Sequence, residues 1–400
     1  MDIVLAGSIN GVTRHIQEFL DAQICQKNFN VVWFRFTNSE EYIQKKVYMD
    51  YSLWWIPLPQ NLREFLSNSS QRESYWLETF SQMSEVLCQC PWPILHLHTL
   101  NLMEFALCMR SRFPCKIVTH VHCIPWKGLY NSNMNAFNRL YQKYYIDKDY
   151  NPHSFVFREF EKKAYKDSDI VICVTSCAKD FILRMYPECA NRLYVVRNGI
   201  RDMAGGKIRR NRKEIIRCVF VGSAHPSKGL DGVLEALQAL MMKYEVCLVI
   251  VGAYSEKRKR EIRKKHPFLK MTFKSVVRVD HLKKIYSQSD IGIIGSLQEQ
   301  CSYAAIEMMM FGLPIVTTDV DGLSEIFSDD KTALKVKVRF SLKHGLRADV
   351  VDMSEALLSI IEKKDLQEKL AHQARLSYQK NYSVVRMANA INSLYEILLS

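Results

Sequence analysis

The 400-residue chain predicts an α/β fold built as two similar Rossmann-like domains in tandem, and three observations lead there. Its length exceeds one ordinary hydrophobic core and suits two domains of about 200 residues. Short apolar strand patterns alternate with helical patterns throughout, which implies βαβ units and parallel sheets. Each half also opens on a strand followed by a glycine-bearing turn, Gly7-Ser-Ile-Asn-Gly11 and Gly222-Ser-Ala-His-Pro-Ser-Lys-Gly229, where backbone can come close to a ligand. Neither turn reads GxGxxG, which disfavours a dinucleotide dehydrogenase.

In chain order, the first series of strands is expected at Ile3 to Ala6, Val31 to Phe36, Ile94 to His98, Lys116 to Val121 and Ile170 to Thr175, with Tyr194 to Arg197 closing the domain. Two aromatic clusters, Tyr51 to Trp55 and Tyr141 to Tyr150, read as core and helix packing, with acceptor binding or shallow membrane contact as the functional alternative. A basic stretch from Arg201 to Arg217 reads as a solvated linker. The second series follows at Cys218 to Gly222, Val246 to Gly252, Met271 to Phe273, Ile291 to Gly295 and Ile315 to Thr317. Glu256 to Lys265, EKRKREIRKK, reads as one exposed helix of mixed charge. The last pattern, Val384 to Leu399, has apolar residues at helical spacing. Residues 1–200 therefore form one domain and 201–383 the other, with the helix of about 384–400 still to be placed.

The net charge of +13 is uneven, +3 over residues 1–200 and +10 over the remainder. Neither basic run interleaves aromatics or sits in a recognisable nucleic-acid-binding motif, so nucleic acid is not expected as a partner. Twelve cysteines lie scattered, with no CxxC pair and no zinc-like Cys/His spacing. They read as reduced core residues. The N-terminus lacks a basic n-region and a long apolar run, and no stretch reaches transmembrane length, so the expected location is the cytoplasm, with peripheral contact at the inner face of the membrane as a secondary expectation.

The most informative stretch is Ser296 to Glu325, SLQEQCSYAAIEMMMFGLPIVTTDVDGLSE. An apolar strand runs into a polar turn, and an apolar helix is expected from about Ser302 to Phe311, stopped by Gly312 and Pro314. A helix start offers unpaired N–H groups and a positive dipole end, which favour a phosphate or a sugar oxygen. Glu299 would sit at this end. Glu307 would lie roughly 12 Å farther along a regular helix, so that the two acids could hold opposite ends of one long ligand.

Ser-x-x-Glu-x-Cys-Ser-x-x-x-x-Glu, then Phe-Gly-Leu-Pro-Ile-Val and Asp-Gly-Leu-Ser-Glu, resembles the signature of family 4 of the retaining glycosyltransferases. The resemblance covers most of residues 100–399 and is strongest from Phe220 to Ile326. It implies a GT-B fold: two Rossmann-like domains facing across a cleft, with the C-terminal helix crossing back to the first. It further implies that Lys228 holds the donor diphosphate, with Gly222 in the same loop, and that Ser223 stands where the family has arginine. By the same resemblance Glu307 accepts the ribose hydroxyls, and Glu299 lies near the donor sugar with the backbone amides of Gln300, Cys301 and Ser302. The nucleotide base would lie near Ser275 to Asp280.

In the first domain, Val-Thr-His-Val-His122-Cys resembles the segment whose histidine lines the donor-sugar pocket, which gives His122 that place and puts His120 at a threonine position. Gly11, with Asn10 and Thr13, would face the diphosphate and acceptor, while Asn198-Gly199 reads as hinge structure. Asp319-Val-Asp321 and Asp147-Lys-Asp149 resemble a metal-holding Asp-x-Asp of the other large glycosyltransferase fold. Their placement does not suit that role, so no metal and no cofactor are expected.

The resulting expectation is a metal-independent retaining glycosyltransferase of hexosyltransferase type. It would take a nucleotide-diphosphate-sugar donor and a hydroxyl of a glycan, lipid-linked or peptide acceptor. A GT-B nucleotide-sugar epimerase, or a non-catalytic nucleotide-sugar- or partner-binding protein, is the alternative.

Overall fold

The computed structural model of the protein describes residues 2–3, 11–26, 31–48, 51–59, 61, 65, 68–88, 93–124, 152–205, 215–275, 279–341 and 345–400. Asn10, Asp147, Asp149, the cluster 141–150, most of the basic stretch 206–214 and residues 276–278 of the expected base site lie outside these. The described residues fall into two compact units, one from Met1–Trp126, Ala136–Gly199 and Val384–Ser400, the other from Ile200–Ser383.

The first unit contains strands β1 (Asp2–Ile3), β2 (Val31–Thr37), β3 (Gln44–Val47), β4 (Tyr51–Pro57), β5 (Ile94–Leu97), β6 (Lys116–Val121), β7 (Ile170–Cys173) and β8 (Leu193–Val195). They are ordered β1-β2-β4-β3 and β5-β6-β7-β8, and only β3 runs antiparallel to its neighbour. All four residues of β7, IVIC, are buried, as in a parallel strand covered on both faces. The aromatic cluster Tyr51 to Trp55 is strand β4, and, as expected of core and helix packing, Tyr51 and Trp55 lie against a cluster that includes Ile16 and Leu20 of the helix Gly11–Gln26. Its aromatic residues suit a half-buried pleated surface, with Leu53 and Ile56 turned into the core. The C-terminal helix Val384–Leu399 belongs to this unit. Met387, Ala388 and Ile391 pack with Phe19 and Ala22 of the helix Gly11–Gln26 and with Val118, Ile170 and Ile172 of β6 and β7. Gln23 and Asn392 seal that contact with a reciprocal amide pair.

The second unit is a six-stranded parallel sheet: β9 (Ile216–Val221), β10 (Val246–Val251), β11 (Lys270–Lys274), β12 (Ile291–Ile294), β13 (Ile315–Thr318) and β14 (Leu334–Val336). Its order, β11-β10-β9-β12-β13-β14, reverses direction between β9 and β12. That reversal is a topological switch point, where open α/β sheets leave a crevice beyond the strands' carboxyl ends. A hairpin of β15 (Val338–Ser341) and β16 (Gly345–Ala348) completes the unit. The expected exposed helix is present as Glu256–Lys265, capped by the Ser255 hydroxyl. The linker ends earlier than expected, because Ile216 and Arg217 already pair with Val246 and Cys247.

Backbone meets backbone at the switch point. Gly229 has φ +67°, and a β-carbon there would stand 1.8 Å from the Gly295 carbonyl oxygen. Leu297 N–H donates to the Ser227 carbonyl at 2.7 Å, tying the loop after β9 to the segment after β12. Gly205 shares the left-handed backbone, φ +64°, but has open space around it. Gly205→Ala should therefore show only the backbone strain of about 1–2 kcal/mol, and Gly229→Ala a clearly larger loss. Urea unfolding of the two variants measures the difference, and equal losses would mean that the close approach does not constrain the loop.

Candidate active site

The loop after β9 begins at Gly222, where an added side chain would press on the Phe220 ring at 3.1 Å. Tyr254, beyond the end of β10, donates its hydroxyl to the carbonyls of Gly222 and Ser223, each at 3.1 Å. Burial pushes this phenol above its usual range, so it remains a donor. His225 accepts from Ser227 N–H through Nδ1 at 3.2 Å and caps the short turn Pro226–Lys228. These contacts fix the loop's course and leave Ser223 exposed.

Lys228 then reaches the segment after β12. Its Nζ lies 2.5 Å from Glu299 Oε2, with the lysine side chain about a third exposed and the glutamate side chain more covered. Ser296 Oγ approaches the same oxygen at 3.5 Å. The Glu299 carbonyl accepts from Gly322 N–H at 2.9 Å, and Gly322 admits no side chain because the Gln300 carbonyl fills that space. Thr318, at the end of β13, donates to the Ser296 carbonyl. Three strand ends thus converge on one turn. A lysine and a glutamate are its charged pair.

The helix Tyr303–Met310 starts with Ser302 as its cap, the hydroxyl accepting from Ala305 N–H at 3.3 Å. Glu299 is therefore not in the helix's first turn but three residues before the cap. The interval to Glu307 is part turn and part helix, and the rise of a continuous helix does not describe it. Gln300, Cys301 and Ser302 are all buried in that turn. Glu307 is only 2% exposed, and its Oε2 accepts from the Tyr286 hydroxyl at 2.6 Å. Tyr286 in turn stacks on Phe311 at 5.3 Å.

Asp319 accepts from Ser324 Oγ at 2.6 Å and faces Lys335 Nζ at 3.2 Å. Burial would raise its pKa, but these two partners overcome it and hold the carboxyl below its ordinary range. Asp321 opens the following helix, Asp321–Ile326, with φ 41°.

Two of the expected residues, Gly11 and His122, lie in the first unit. Gly11 opens the helix Gly11–Gln26. His122 follows β6 directly, and its Nε2 lies 2.9 Å from His98 Nδ1. Around it stand His15, His98 and His120, whose ring nitrogens lie within 4.8 Å of one another when one is taken from each of the four residues. Asn198 is not merely hinge structure: its carboxamide oxygen lies 3.0 Å from His15 Nδ1. Sequence reasoning missed Tyr254, Tyr286 and Thr318, and singled out one histidine of this group as functional. The repeated His-x-His of residues 96–98 and 120–122 is the signal that could have found more.

A family profile described as Glycosyltransferase Family 4 matches residues 9–202, and one described as Glycosyl transferases group 1 matches residues 207–377. An uncharacterized glycosyltransferase of Methanocaldococcus jannaschii is 26% identical over 204 residues, 47% of this chain and 52% of that protein. The chain thus spans about half the length of that relative. Among solved structures, sucrose-phosphate synthase from Thermosynechococcus elongatus superposes with a TM-score of 0.74 at 15% identity, covering 100% of this chain and 99% of the other. Anabaena HepE in complex with UDP-glucose superposes with a TM-score of 0.69 at 11% identity, covering 99% and 98%. The chain belongs to the family 4 type of glycosyltransferases and has their GT-B fold of two Rossmann-like domains.

Proposed function

We propose that the protein is a retaining glycosyltransferase that moves a hexose from a nucleotide-diphosphate-sugar to a hydroxyl of a glycan, lipid-linked or peptide acceptor. The observation that carries this reading is the Lys228–Glu299 pair at the switch point of the second unit. A diphosphate there competes with Glu299 for the ammonium, and the turn 300–302 stands where sugar oxygens would meet backbone N–H groups. The likeness to a protein solved with UDP-glucose supports this class of donor.

In the proposed step the acceptor oxygen bonds to the anomeric carbon on the face from which the diphosphate oxygen departs. That oxygen takes the acceptor's proton. Catalysis then consists of positioning and of stabilising charge on the leaving diphosphate, which Lys228 supplies without a divalent ion. Asp319 does not compete for such a role, since Lys335 and Ser324 already engage it. Nine of the twelve cysteines, from Cys108 to Cys301, are free, which supports a reducing compartment such as the cytoplasm.

Nucleotide release from UDP-, GDP- and ADP-sugars, with and without glycan acceptors, tests the reading. Release that depends on acceptor supports transfer, turnover of donor alone points to an epimerase, and binding without turnover to a non-catalytic protein.

With Ser223 in place of arginine, Lys228 is the cation left to the loop. Lys228→Ala should therefore weaken nucleoside diphosphate binding far more than monophosphate binding. Calorimetry gives the ratio of the two affinities, and a ratio that does not fall would remove the phosphate from this loop.

Glu307→Ala should cost about 1.5–3 kcal/mol of nucleoside binding through a lost charged hydrogen bond. Tyr286→Phe, which removes only the donor to Glu307, should cost less. Unchanged affinity in Glu307→Ala would make this carboxylate a packing element of the core.

A further inference from the structure

The first unit holds a group of imidazoles that the proposed transfer step does not use. His96 and His98 are two apart, as are His120 and His122, so each pair points to one side of its strand. β5 and β6 run parallel with His96 opposite Val118 and Leu97 opposite Thr119, which brings the two pairs side by side at the strands' carboxyl ends. Farther back on that face, Val118 packs against the helix Gly11–Gln26, and His15 of the same helix closes over the histidines. Its ring centroid lies 4.4 Å from that of His120, 4.7 Å from His122 and 5.4 Å from His98.

Among the described residues, two nitrogens in this group are buried with no hydrogen-bond partner, His15 Nε2 and His120 Nε2, on residues 0% and 1% exposed. A buried lone pair without a donor is costly. The outer nitrogens, by contrast, are held. His15 Nδ1 faces the Asn198 amide oxygen, which can only accept, so Nδ1 carries the proton and Nε2 the lone pair. His120 Nδ1 lies 3.2 Å from His96 Nε2, and His96 Nδ1 lies 2.5 Å from the Tyr395 hydroxyl. With that hydroxyl accepting, both protons point outward along the chain, and His120 Nε2 is also left as a lone pair. This is the arrangement of metal-binding histidines, each oriented by a partner on its second nitrogen.

We propose that His15, His98, His120 and His122 bind one divalent transition-metal ion, zinc by its preference for four tetrahedral nitrogens, with Asn198 and His96 as the residues that orient His15 and His120. His98 Nδ1 and His122 Nε2 already stand 2.9 Å apart, close to the ~3.3 Å edge of a tetrahedron with zinc–nitrogen bonds of 2.0–2.1 Å. The ion takes the place of the proton between them, which moves to the outer nitrogen of its own ring. The widest separation in the set, 4.8 Å, closes by rotation of the rings. Burial keeps these imidazoles neutral, with the pKa of His15 pushed down to about 4, so no proton has to be expelled before binding. Four protein ligands make a closed, structural site that ties the helix Gly11–Gln26 to the ends of β5 and β6. It gives His122 a role other than the donor-sugar contact implied by the family resemblance.

The test is metal loading of the full chain. After stripping with a chelator, the wild-type protein should take up one zinc per chain, and cobalt(II) in its place should show the intense visible bands of a tetrahedral site. A thiolate-to-cobalt charge-transfer band should be absent, which separates this site from capture by the cysteines. His15→Ala/His120→Ala should abolish uptake, and Asn198→Ala should keep the stoichiometry while weakening affinity about 10–100-fold. Wild-type protein without zinc uptake, or with cobalt bound only through thiolate, would overturn the proposal without recourse to any variant. Full uptake by a folded double variant would overturn it as well.

Discussion

Where β9 and β12 lie side by side, the backbone after one strand touches the backbone after the other, and the second unit is organised around that contact. The carbonyl of Gly295 occupies the space of a β-carbon on Gly229, so the loop can take this course only with glycine at 229. The order of the sheet reverses there, and such a reversal leaves a crevice beyond the carboxyl ends of the strands. Lys228, one residue before the contact, is thereby carried to Glu299, four residues after Gly295. The meeting of two residues 71 positions apart follows from one steric constraint.

The same contact decides what kind of charge the site offers. A loop held by backbone bonds at Leu297 and by the Tyr254 hydroxyl presents carbonyl oxygens to its anchors, and its ammonium, that of Lys228, pairs with Glu299. An arginine at 223 would have brought a planar fork matched to two phosphate oxygens. Lysine is a point charge on a flexible stem, and its ion pair with Glu299 holds it in place in the absence of ligand. In the proposed reaction a diphosphate arriving there would exchange one anion for another, so the desolvation cost of the ammonium would already be partly met.

Most of the fold was legible in the sequence, because period-two and 3.6-residue patterns follow burial. β6 was read with the ends it has, and β7, β9, β10, β12 and β13 within two residues at either end. β4 was not, since Tyr-Ser-Leu-Trp-Trp has aromatics on both faces and no clean alternation, and β14 to β16, Leu-Lys-Val, Val-Arg-Phe-Ser and Gly-Leu-Arg-Ala, lack the continuous apolar run that marks β7 and β12. In the site, Lys228 and Glu299 could be found by motif, and the structure brings them together. Glu307 was legible as a carboxylate but not as one buried against Tyr286, twenty-one residues earlier on another helix. Tyr254 was invisible because its partners are backbone carbonyls, which leave no trace in residue identity.

The histidines show how the same limit works in the first unit. One helix residue and two strand ends contribute, more than eighty positions separate His15 from His98, and the register of β5 on β6 settles which rings meet. Each histidine alone reads as an ordinary core residue. Together they bury neutral rings where the rest of the same sheet face packs Ile170, Ile172 and Val118 against helices. Aliphatic side chains would fill that space without unpaired nitrogens, so the imidazoles must be weighed by what they can bind. Asn198 links this group to the end of the unit, for the next residue, Gly199, donates its N–H to Met387 Sδ of the C-terminal helix at 3.1 Å. An ion on His15 would thus order, through one carboxamide, the segment where the chain leaves the first unit.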